Sequence, residues 1–201
     1  MEKQEFYFTI DGTATTEFKD RGSRFIAYAY PIADVEAFKT RLNDLKKEHP
    51  KATHHCFAYR LGLDGSTFRV SDAGEPAGTA GKPILGQIDS KELTNILVVV
   101  VRYFGGTLLG VPGLIHAYKS AASLVLQLTP IIQKPVERIY DIQFDYTGMN
   151  AVMTIVKQYN CQVIRQEMQL FCHLIVGIPA SREEEVVYKL KELRNVELKK
   201  E

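Results

Sequence analysis

His54 and His55 open the stretch HHCFAYRLG, residues 54–62, and two carboxylates, Asp72 and Glu75, follow shortly after it. Imidazole titrates nearest neutrality of all side chains, so a histidine held by a carboxylate could act as a general acid or base. Neighbours on a strand point to opposite faces, which puts His54 with Cys56 on one face and His55 on the other. The same donors, His54, Asp72 and Glu75, are the only candidates for a metal site. No paired Cys/His cluster accompanies them, and neither a metal nor another cofactor is expected. No nucleophile has a recognisable setting: Gly-x-Ser-x-Gly and His-Glu-x2-His are absent.

Anion binding is the second chemistry within reach. Two runs of small residues, SDAGEPAGTAGKP at 71–83 and GGTLLGVPG at 105–113, each lead into a segment of helical spacing. Small residues ahead of a helix leave backbone N–H groups open at its start, where a phosphate can sit. Lys82 closes the first run, Arg102 precedes the second, and Lys119 lies in the helix after it. Gly105 and Gly106 would admit a backbone, or would serve tight turns alone. Arg102, Tyr103 and Phe104 could pair with a phosphate and stack on a base. Arg102 could equally bridge to Asp72 or Glu75 and tie the two loops together. Established phosphate loops do not match. Pro83 follows Gly81-Lys82 where a Walker loop needs Ser or Thr, and the spacing of Gly105, Gly106, Gly110 and Gly113 is not that of a dinucleotide turn.

The elements that must position these residues are legible from periodicity. Residues 23–32 and 54–62 read as strands, and Asp34 caps a helix reaching about Glu48. Pro83 suits the first position of a short helix over 83–93. Residues 95–106 form a nearly all-apolar strand, which implies burial on both faces. A helix over about 112–128 follows. Pro130 and Pro135 flank IIQK and mark a boundary between a first domain over 1–133 and a second over 134–201. In the second, strands at 138–146, 161–168, 170–179 and 195–200 alternate with helices at 149–159 and from an N-cap at Ser181 to about Leu193. That order is β-α-β-β-α-β, ferredoxin-like. The fold class is α+β.

Composition narrows the function classes. Of 201 residues 45% are hydrophobic, enough for a real core, and the net charge is +1 with no marked excess on either side of Lys134. A nucleic acid would therefore be met by a local patch and not by a global field. The three cysteines, Cys56, Cys161 and Cys172, are odd in number and match no metal spacing, as expected of reduced thiols in a cytoplasmic protein. No apolar run is long enough to span a membrane.

The stretches HHCFAYRLG, SDAGEPAGTAGKPIL and VVVVRYFGGTLLGVPGLIHAYKSA together resemble the IMPACT/YigZ family, as a bacterial two-domain member. The resemblance runs through nearly the whole chain. It implies a first domain with the fold of ribosomal-protein and elongation factor G domain IV type and a second like elongation factor G domain V. It further implies a link to translation, since eukaryotic relatives interfere with activation of an initiation-factor kinase and bacterial ones are suspected of nucleic-acid or ribosome binding. The matching positions are His54, His55, Asp72, Gly74, Glu75, Pro76, Gly78, Thr79, Gly81, Lys82, Pro83, Arg102, Tyr103, Gly105, Gly106, Gly110, Gly113, Leu114 and Tyr118. Pro112 and His116 depart from the pattern, and the loss of a lysine at 116 weakens a phosphate site on that helix.

Three readings follow. The first is a non-enzymatic, translation-related factor that binds RNA or the ribosome in a cleft between 71–83 and 102–113, with Lys82, Arg102 and Lys119 on phosphates and Tyr103 or Phe104 stacking. The second is an enzyme acting on a phosphorylated small molecule through a His/carboxylate pair. The third is a protein-interaction module in translation control, which requires an exposed apolar patch.

Overall fold

The computed structural model describes residues 4–168 and 171–201. The chain divides into two compact units, Tyr7–Lys134 and Pro135–Glu201, the second taking in the short N-terminal stretch that ends at Phe6.

The first unit contains β1 (Phe6–Ile10), β2 (Ala14–Asp20), β3 (Ser23–Pro31), α1 (Val35–Glu48), β4 (His54–Leu61), β5 (Thr67–Ser71), α2 (Gly81–Asp89), β6 (Ile96–Tyr103), α3 (Gly110–Leu128) and β7 (Ile131–Pro135). Five strands form one sheet in the order β2-β3-β6-β4-β5, every neighbouring pair antiparallel. β6 is central and its apolar run serves both faces. Val98 and Val100 join the core beneath α2 and α3, while Leu97, Val99 and Val101 join a second core with Phe38 and Leu45 of α1. Hence the sequence shows no alternation there. Asp34 caps α1 as its position implies, its carboxylate accepting from Ala37 N at 2.8 Å.

Some details add to or differ from the sequence expectations. IIQK, between the two prolines that mark the boundary, is itself a strand: it belongs to β7, which pairs with β1 in a two-stranded sheet. β2 and β5 lie at the sheet edges, where half-exposed polar residues blur the apolar signal. α2 starts two residues before Pro83, because an aspartate described below satisfies its first N–H groups.

The second unit contains β8 (Glu137–Asp145), α4 (Met149–Gln158), β9 (Gln162–Met168), β10 (Phe171–Pro179), α5 (Glu183–Lys191) and β11 (Val196–Lys200). Its antiparallel sheet has the order β11-β8-β10-β9, so the β-α-β-β-α-β succession is present. Leu170, which periodicity puts at the head of β10, lies outside the described residues. Ser181 is not the cap of α5. It sits in a 3-10 turn, Ala180–Arg182, and the Glu183 N–H bonds back to Ala180 O, so the turn takes the place of a side-chain cap. Glu183, Glu184 and Glu185 do occupy the first turn of α5, where the helix dipole favours them. No described helix is long and apolar enough to cross a membrane.

Candidate functional site

β4 and β6 lie side by side in the sheet, and their register sets His54 opposite Arg102 and Cys56 opposite Val100. These residues face α2 and α3. Loop 72–80 passes over the same end of the sheet and brings Glu75 down onto Arg102. Arg102 Nη1 donates to Glu75 Oε1 at 2.6 Å, and both residues are less than a tenth exposed. Tyr118 of α3 donates its hydroxyl to the same Oε1 at 2.8 Å. The second nitrogen, Nη2, donates to Ser23 Oγ at 3.3 Å, and Ser23 Oγ also accepts from Gly105 N at 3.2 Å. The guanidinium lies between two rings, 5.3 Å from the centroid of Phe25 and 5.6 Å from that of Phe104. Its Nε is buried without a hydrogen-bond partner among the described residues.

Arg102 is thus the buried link that joins both loops to the sheet, the alternative the residues had left open. Its guanidinium is turned into the fold, with Nη1 and Nη2 bonded there and the residue only 5% exposed, so it is not presented at the surface as a phosphate contact would be. Isolated burial of such a cation would be prohibitive; Glu75 is what makes it tolerable.

Asp72 accounts for the first loop. Its carboxylate accepts from Gly78 N at 2.8 Å, Ala80 N at 3.0 Å and Gly81 N at 2.8 Å. Partial burial pushes its pKa up, but the three N–H bonds and nearby Lys82 outweigh that, leaving it below the usual carboxylate value. The N–H groups that the sequence offers to an external anion therefore already hold an internal one. Gly81 is required by crowding: a Cβ there would lie 2.8 Å from Ser71 N.

The histidines separate as expected. His54 Nδ1 donates to Ala73 O at 2.8 Å, and its Nε2 stands 3.7 Å from Glu75 Oε1, too far for a hydrogen bond. His55 faces α1, and burial lowers its pKa. Cys56 Sγ lies 3.0 Å from Asp72 O and 3.3 Å from the Tyr118 hydroxyl. Burial raises this thiol to about 12 and drives Tyr118 far above its ordinary value, so neither offers an anion at neutral pH. His54 and Glu75 approach each other, but Asp72 is turned to the N–H groups of Gly78, Ala80 and Gly81, so the three do not form one donor set. Among the described residues no group of three or more His, Cys, Asp or Glu side chains is placed to hold a metal ion.

The remaining candidates are dispersed. Tyr103 points to the α1 face, opposite Arg102, and its hydroxyl meets His49 Nδ1 at 2.8 Å while His49 Nε2 meets the Tyr28 hydroxyl at 2.6 Å. Lys82 and Lys119 are exposed. Lys119 and His116 line a groove of 440 Å³ with Phe18 and Ser120, to which Lys82 does not contribute. Gly105 has no room for a side chain, since a Cβ would lie 1.9 Å from the Gly22 carbonyl carbon. That glycine seats the second loop on the β2–β3 turn. Leu114 and Tyr118 are buried in the α3 core.

Sequence reasoning passed over three features. Ser23 and Phe25 hold the arginine, and nothing local marks them. The third is apolar: Phe104 is 48% exposed, Leu108 82%, Val111 52% and Ile115 38%. Val111 and Ile115 are one turn apart on α3 and out of phase with its buried stripe of Leu114, Ala117, Tyr118, Ala121 and Ala122. That phase difference was a usable signal.

Comparison with known proteins agrees with the motifs. The family model described as the Impact N-terminal domain matches residues 21–126. The chain is 39% identical over 171 residues to the IMPACT family member YigZ of Escherichia coli, covering 84% of this chain and 83% of that one. It is 36% identical over 174 residues to an IMPACT family member of Haemophilus influenzae, covering 86% and 84%. A crystal structure described as that of a hypothetical protein superposes with a TM-score of 0.77 at 33% identity, covering 98% of this chain and 97% of that one. By its motifs, its fold and these relatives, the chain belongs to the IMPACT family.

Proposed function

We propose that this protein is a non-enzymatic, translation-related factor that docks on a protein surface of the ribosome through loop 104–109 and the first turns of α3. One observation carries the reading: Phe104, Leu108, Val111 and Ile115 expose apolar surface around a loop that Arg102, Ser23 and Gly105 hold in place. A rigid apolar projection suits a protein partner. Membership of the IMPACT family supports the link to translation, on which the family resemblance also bears. The internal use of Asp72, Glu75 and Arg102 speaks against the cleft between 71–83 and 102–113 as a phosphate track, and against Glu75 as a free catalytic carboxylate.

Sedimentation with purified ribosomes across a salt series tests this. Binding that persists as salt rises, is lost in L108S/V111S and survives in K82A/K119A is the expected result. Steep loss with salt together with loss in K82A/K119A would return the RNA-backbone reading, since phosphate contacts release counterions.

A further inference from the structure

The sheet of the second unit has two unlike edges. β11 is short, and although Glu197 and Lys199 alternate about Leu198, its apolar residues Val196 and Leu198 pack against the core of their own unit and offer little to cover. β9 is the other edge, and all seven of its residues are exposed. Val163 is 39% exposed, Ile164 50% and Met168 50%, so among the described residues the strand carries exposed apolar side chains. A β-bulge against β10 falls at Val163–Arg165, after which Arg165, Gln166, Glu167 and Met168 pair in regular register.

We propose that β9 is a homodimer edge, at which a second copy of the chain adds its own β9 antiparallel about a two-fold axis. The argument is charge complementarity. A two-fold normal to the sheet must pass through one residue, which then faces itself, so that side chains on opposite strands share a face. Centred on Arg165 or on Glu167 the pairing sets like charges against each other. Centred on Gln166 it sets Arg165 opposite Glu167 of the second copy, twice, within the part of the strand that keeps regular register. Within one chain Arg165 and Glu167 already form an ion pair on a single face, so the side chains need no new orientation to make a four-charge ladder. β2 also carries opposite charges two apart, Glu17 and Lys19, but Phe18 between them already packs against the core of its own unit and offers less to cover.

The test is sedimentation velocity of the full chain over a micromolar to submillimolar series. The wild type is expected to approach twice the subunit mass. R165E and E167R, both at exposed positions, are each expected to weaken the dimer by at least about tenfold, by setting like charges opposite in two symmetric pairs. An equimolar mixture of the two variants is expected to recover it, because an acidic strand then meets a basic one. A wild type that stays monomeric throughout, single variants that dimerise as tightly as the wild type, or a mixture that stays monomeric would each overturn the proposal.

Discussion

Arg102 is the residue on which the first unit turns. It lies among Glu75 of loop 72–80, Ser23 and Phe25 of β3, and Phe104 of the second glycine loop, so its removal leaves a buried carboxylate without its cation and frees two loops. Arg102→Ala is expected to cost about 3–5 kcal/mol, read by urea denaturation, as for other buried pairs broken on one side. A double-mutant cycle with Glu75→Gln should show strong coupling; additive effects would remove the ion pair from the account. Asp72 acts more locally. Asp72→Ala loses three bonds to backbone N–H groups and is expected to destabilise by about 2–3 kcal/mol. Because the folded-state pKa of Asp72 is depressed, its contribution is present above the ordinary carboxylate value and is lost as pH falls through the depressed one. The stability gap between wild type and Asp72→Asn should therefore close on acidification below that range, and a gap unchanged by acid would contradict the assignment.

At the scale of elements, the second glycine loop is seated by contact of backbone on backbone. Gly105→Ala would drive a methyl group into the β2–β3 turn, and a substantial fall in Tm is expected. Leu108→Ser, at a largely exposed position, should leave Tm nearly unchanged while weakening ribosome binding. Long periodic elements were readable beforehand: α1 with its Asp34 cap, β6, α3 and the whole β-α-β-β-α-β succession. The edge strands β2, β5 and β7 were not, because a strand paired on one side and wet on one face needs few apolar residues. For β2 a turn signal existed. Arg21 and Gly22 both take positive φ, the two-residue hairpin that joins β2 to β3, but Arg-Gly is not among the pairs that announce such a turn. Of the buried network, Asp72, Glu75, Arg102 and Tyr118 were legible as residues, Ser23 and Phe25 were not, and none of it was legible as geometry. Sequence could say that Arg102 sits near two acids, but which acid it meets depends on the sheet register that lays β4 beside β6.

At the scale of the whole molecule, the buried clusters of the two units are separate, one beneath α2 and α3 with its counterpart under α1, the other between β8, β10, α4 and α5. Ile142→Ala is therefore expected to lower protection of β8 and β10 amides while β6 amides keep theirs. The face that meets a partner is read out by amide hydrogen exchange of the full chain with and without ribosomes. Added protection over residues 104–115 is expected. Protection confined to residues 78–83 and to the surroundings of Lys119, or none anywhere, would contradict it.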